Sequence, residues 1–131
     1  MIKELINKAI QAREKSYSPY SNFKVGASVM GESGKIYSGC NIENAAYSPT
    51  ICAERVAIFK AISNGEREIK KIALIGSTDS FTYPCGVCRQ VMTEFASDDF
   101  EIIVAKNIEE YVSYSLDDLM PNSFRVRDMG R

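Results

Sequence analysis

The feature that most restricts the fold of this chain is the alternation of strand and helix patterns in its second half. KKIALIG (70–76) reads as a buried strand, GVCRQVMTEFA (86–96) as a helix and FEIIVA (100–105) as another strand. Strands joined through a helix are usually parallel neighbours with a right-handed crossover, which predicts an α/β layered fold. EYVSY (110–114) reads as a last strand and follows after only KNIE. A parallel connection needs about a dozen residues, so the last two strands are expected to be antiparallel.

The first half supplies the remaining elements. Ile2, Leu5, Ile6, Ala9 and Ile10 share one face of an amphipathic helix from residue 2 to about 15. SYSPYSN is a turn cluster. Phe23, Val25, Ala27 and Val29 alternate as in a strand, GESG turns, and KIYSG returns as the second arm of an antiparallel hairpin. CNIENAAYSPT is a polar loop of a length associated with function. A helix from about 52 to 64 follows, with Val56, Ile58, Phe59 and Ile62 at helical spacing and Gly65 as its stop. STDSFTYP is loop. SLDDLMPNSF predicts a short helix capped by Ser115 and stopped at Pro121, and RVRDMGR a polar tail. At 131 residues the chain is expected to be one domain, 1–131.

Composition bounds the partners. The net charge is -1, with 16 basic and 17 acidic residues. Grip on a nucleic-acid backbone normally needs a basic excess, so no nucleic acid is expected and a small neutral ligand fits better. No stretch approaches the roughly 20 apolar residues of a membrane span. The segment MIKELINKAIQAREK has no apolar core of signal-peptide type, so the expected address is cytoplasmic.

Four cysteines (Cys40, Cys52, Cys85, Cys88) and no histidine narrow the chemistry. Ser-His-Asp and Cys-His mechanisms lack their general base. In a reducing cytoplasm, a C-x-x-C pair points to metal or redox use before structural disulfides. Cys85 and Cys88, three apart at the head of a helix, share a face, and Cys52 heads another helix. If the two N-termini meet, three thiolates can surround one ion, with the positive dipole ends favouring the negative charge. Zinc suits such a set, and three protein ligands leave a fourth position to water, as in a catalytic site. Two alternatives stand beside this: a thioredoxin-like redox pair, and a closed structural zinc site with Cys40 as fourth ligand. The closed site leaves Glu54 unexplained except as a carboxylate favoured by the helix dipole. Beside a catalytic ion, a carboxylate that is not itself a ligand can move protons.

C-A-E followed about thirty residues later by P-C-x-x-C resembles the signature of zinc-dependent cytidine and deoxycytidine deaminases, in which cysteine replaces the histidine of the wider superfamily. SPYSNFKVGA, GCNIENAAY, CAERVAIFKA, PCGVCRQV and LMPNSF resemble that family's pattern in the same order, from residue 18 to 124. The resemblance implies a three-layer αβα fold with a mixed five-stranded sheet. It implies hydrolytic deamination of cytidine and 2′-deoxycytidine to uridine and 2′-deoxyuridine, with release of ammonia, in pyrimidine salvage. Cys52, Cys85 and Cys88 would hold Zn²⁺ and Glu54 would shuttle protons. Asn41 and Glu43 match residues that hydrogen-bond the ribose hydroxyl, Phe23 matches the aromatic on the pyrimidine, and Ala53 falls among the substrate contacts. Arg55 matches an arginine that hydrogen-bonds the thiolates. Similar proteins are homotetramers whose sites borrow neighbouring residues, with Tyr47 and Phe124 in the matching positions. A zinc deaminase of another amino-pyrimidine nucleoside, such as blasticidin S, is the alternative, and NIEN weighs against it. A non-catalytic zinc module requires a closed site.

Overall fold

The computed structural model describes residues 1–77 and 79–130; Thr78 of the STDSFTYP loop and Arg131 of the tail lie outside the described residues. The elements run α1 (Ile2–Arg13), β1 (Gly26–Gly31), β2 (Ile36–Cys40), α2 (Ala53–Ser63), β3 (Ile69–Ile75), α3 (Gly86–Phe95), β4 (Ala96–Ala105), β5 (Tyr111–Ser115) and α4 (Leu116–Leu119). Five strands form one sheet in the order β2-β1-β3-β4-β5. The hairpin is antiparallel, β3 and β4 are parallel, and β4 and β5 are antiparallel, as the four-residue connection requires.

Helices cover both faces of this sheet, and the side-chain alternation of a strand decides which residue meets which helix. Leu5, Ile6 and Ala9 of α1 pack with Met30, Ala73, Ile75, Ile103 and Ala105. On the opposite face, Ala57 and Ile58 of α2 and Met92 of α3 pack with Ala27, Val29, Ile72, Leu74, Ile102 and Val104. Every residue of β1 is therefore buried. Truncating Leu74, which is fully buried, to alanine should cost about 2–5 kcal/mol. Gly26 is required by space: a Cβ there would lie 1.9 Å from the Ala9 carbonyl oxygen, so only glycine lets α1 come this close. No helix among the described residues is long and apolar enough to cross a membrane.

Four sequence expectations shift. The first strand begins at Gly26, not Phe23, because side chains take the backbone groups that a ladder would use. Asn41 Oδ1 accepts from Val25 N at 2.9 Å, and Asn41 Nδ2 donates to the Phe23 carbonyl at 2.8 Å. The strand expected from Phe100 begins at Ala96, directly after α3, with a register break between the Ile69 and Lys71 pairings. The tail carries a 3₁₀ turn at Val126–Met129, where Arg125 N donates to Asp128. Phe59 is exposed, so α2 buries a narrower stripe than its spacing suggests. Ser115 caps α4 as expected, in a reciprocal box with Asp118.

The hairpin is clamped to the end of α2 by Glu66. Its carboxylate accepts from the Ser33 amide at 3.1 Å, from the Ser33 hydroxyl and from the Tyr37 hydroxyl at 2.8 Å. These bonds, the Ser33 hydroxyl foremost, hold its pKa below the usual carboxylate range.

Candidate active site

Because β3 and β4 are parallel and each is entered from a helix, α2 and α3 run in the same direction and begin at the same end of the sheet. Cys52 is the N-cap of α2 and Cys85 the N-cap of α3; Cys88 lies one turn inside α3 and is buried. The Cys52 and Cys85 sulfurs are 3.6 Å apart, those of Cys85 and Cys88 3.4 Å, and all three lie within 4.8 Å of one another. A tetrahedral ion with sulfurs at about 2.3 Å separates them by roughly 3.8 Å, so the trio fits zinc in both chemistry and spacing. Cys40 stands apart, half-buried at the end of β2 and paired with Gly26. It is not among the ligand atoms that converge in the described residues, so the closed four-cysteine alternative lacks its fourth ligand.

The thiols do not share protons equally. Cys52 is held down to about 5, first by hydrogen bonding to Cys88 and then, against the opposing effect of burial, by the Arg55 guanidinium. Cys88 is pushed up, first by its bond to Cys52 and then by burial. Arg55 Nη2 donates to the Cys52 sulfur across 3.5 Å.

Glu54 occupies the first turn of α2 and is only 4% exposed. Burial, as the largest cause, pushes its carboxyl up to about 7. It faces a cavity of about 260 Å³ together with Cys52, Cys85, Ala53 and Phe23. A buried carboxylate of this kind is suited to holding and releasing a proton near neutral pH.

Asn41 and Glu43 reach the same cavity, and both already order its wall. Besides its bonds to residues 23 and 25, Asn41 Oδ1 accepts from the Ser16 hydroxyl at 2.5 Å. Glu43 accepts from Tyr20 N at 2.9 Å, Ser21 N at 3.1 Å and the Ser21 hydroxyl. One amide hydrogen of Asn41 and part of the second Glu43 oxygen's capacity are left over. Each residue can therefore shape the pocket and still offer a polar contact.

Thr82 and Tyr83 also line the cavity, and sequence reading passed them over as loop. The available signal was position alone, since they stand just before Pro84-Cys85. Arg89 fixes this loop by donating to the carbonyls of Pro84 and Leu119, each at 2.7 Å. Tyr47 borders an adjoining cavity of about 360 Å³ with Tyr20 and Glu43, and the residue is 72% exposed. Phe124 lies outside both cavities, 60% exposed, with its carbonyl accepting from Gln90.

A family model described as the cytidine and deoxycytidylate deaminase zinc-binding region matches residues 1–104. A cytidine deaminase of Sporosarcina psychrophila is 42% identical over 128 residues, 98% of this chain and 94% of its own length. The crystal structure of a cytidine deaminase from Burkholderia pseudomallei superposes with a TM-score of 0.85 at 44% identity, covering 92% of this chain and 97% of the other. That of a cytidine deaminase from Mycobacterium tuberculosis does so with a TM-score of 0.82 at 33% identity, covering 94% and 96%.

Proposed function

Because the chain belongs to the cytidine and deoxycytidylate deaminase zinc-binding family, we propose that it hydrolyses cytidine and 2′-deoxycytidine to uridine and 2′-deoxyuridine with release of ammonia. The observation that carries this reading is the convergence of three thiols, two of which line one small cavity with the buried Glu54. Zinc held by Cys52, Cys85 and Cys88 supplies a Lewis-acid centre that makes water a competent nucleophile near neutral pH.

The chain's own residues do the rest. Glu54 takes a proton from the attacking water and gives it to N3 of the pyrimidine while C4 gains oxygen. Glu54 then takes the remaining proton of the hydroxyl added at C4 and delivers it to the amino nitrogen, the C4–N bond breaks as the C4 carbonyl forms, and ammonia leaves. Phe23 packs on the pyrimidine beside Ala53, and Asn41 and Glu43 take the ribose hydroxyl. Three thiolates outweigh a divalent ion, and the Arg55 guanidinium offsets part of that excess.

We place the enzyme in the cytoplasm, where its four free cysteines stay reduced, and in pyrimidine salvage. It works as a homotetramer in which Tyr47 and Phe124 meet a neighbouring site; their exposure supports this. The test of the chemistry is the Glu54→Gln variant, assayed by ultraviolet absorbance on cytidine with zinc measured in the same sample. It should keep its metal and lose at least about 10²-fold in rate. Turnover near the parent rate would overturn the mechanism.

A further inference from the structure

Thr82 sits in the loop between β3 and α3, and its side chain reaches the cavity that holds Glu54, Cys85 and Phe23. Its hydroxyl makes no hydrogen bond to any described residue. Its donor and acceptor capacity is therefore free to meet a molecule that enters the cavity.

Gly76, the residue after β3, explains how the hydroxyl comes to be there. A Cβ on Gly76 would lie 2.1 Å from Thr82 Oγ1 and 2.8 Å from the Phe23 ring tip. The backbone of Gly76 is not left-handed, so no turn requires glycine at this position. What requires it is the room occupied by Thr82 and Phe23. Arg13 holds the spot by donating to the Gly76 carbonyl at 2.6 Å.

We propose that Thr82 is a substrate-binding residue whose hydroxyl hydrogen-bonds the polar edge of the pyrimidine, and that Gly76 is a positioning residue that admits it. This rests on the function proposed above, because the Phe23 ring that crowds the same point is the one assigned to the pyrimidine. Cytosine offers a carbonyl, a ring nitrogen and an amino group along that edge, and a hydroxyl can either donate or accept.

Thr82→Val keeps the shape and removes the hydroxyl, whereas Thr82→Ser keeps the hydroxyl. Losing one neutral hydrogen bond should raise KM for cytidine about three- to tenfold in the valine variant, with kcat little changed. The serine variant should stay within about twofold of the parent. Gly76→Ala should raise KM at least as far as Thr82→Val does, since its Cβ would crowd both Thr82 Oγ1 and the Phe23 ring. Binding is read without turnover by calorimetry with cytidine on zinc-loaded Glu54→Gln protein, with and without Thr82→Val. Weaker binding in the second protein supports the contact, and equal binding overturns it. Failure of cytidine to bind either protein would instead overturn the proposed function, and this assignment with it.

Discussion

Arg55 lies three residues after Cys52 on α2 and turns back so that its Nη2 is 3.5 Å from the Cys52 sulfur, while its Nε is buried without a hydrogen-bond partner. Its charge is committed to the thiols. Arg55→Ala should therefore weaken zinc retention or turnover by about 10–100-fold, the usual loss when a partner of a metal ligand is removed. Competition with a graded chelator reads the affinity directly, and an unchanged affinity with unchanged turnover would sink the assignment.

The separation of Cys40 from the other thiols makes a sharp contrast between two variants. Cys40→Ser should keep about one zinc per chain and near-parent activity, whereas Cys52→Ser should lose both. Stripping the parent with chelator should abolish deamination, and added zinc should restore it. Metal loss in Cys40→Ser would return the site to the closed structural type.

Asn41 orders its loop and is proposed to hold the ribose as well, and the two roles should separate experimentally. Asn41→Ala leaves Val25 N–H and the Phe23 carbonyl without partners, so denaturant unfolding should show a loss of about 1–3 kcal/mol. The ribose contact should appear as discrimination: free cytosine should be turned over ~10⁴-fold less efficiently than cytidine. Equal efficiency for the two would remove Asn41 and Glu43 from the substrate and leave them as loop anchors.

Glu66 gives a pH signature unconnected with catalysis. Its carboxyl titrates lower in the folded chain than in the unfolded one, so its stabilisation is fully present above the unfolded value of about 4.3. It is lost as pH falls through the lower folded value. The parent's Tm should thus drop more steeply than that of Glu66→Gln as pH is lowered below about 5. Parallel Tm curves would show that the clamp contributes nothing through its charge.

Phe124 tests assembly. Phe124→Ala should retain zinc and raise KM, because a packing contact to the nucleoside is lost while the chemistry is untouched. Sedimentation should show a tetramer, and a fully active monomer would overturn the shared site.

Much of this was legible in the residues because it depends on periodicity and spacing. KKIALIG, the helix after it and FEIIVA announce a parallel pair, and KNIE is too short for anything but an antiparallel return. Cys52, Glu54, Cys85 and Cys88 were legible because their spacing is local to two helix starts. The late start of β1 was hidden because Asn41, fifteen residues beyond Gly26 in the chain, takes the bonds of residues 23 and 25. Thr82 was hidden for a similar reason: its place depends on the missing side chain of Gly76, six residues earlier, which no pattern in the loop encodes.

The thiol trio joins positions 33 residues apart, and everything between them, α2 and the central strand β3 included, falls inside the loop that an ion would close. A link of that span restricts the unfolded chain by on the order of 3–4 kcal/mol if it acts as a disulfide would. The catalytic ion is then also a clasp on the fold. Resistance to unfolding should rise and fall with free zinc, and amide exchange in apoprotein should quicken first in the opening turns of α2 and α3.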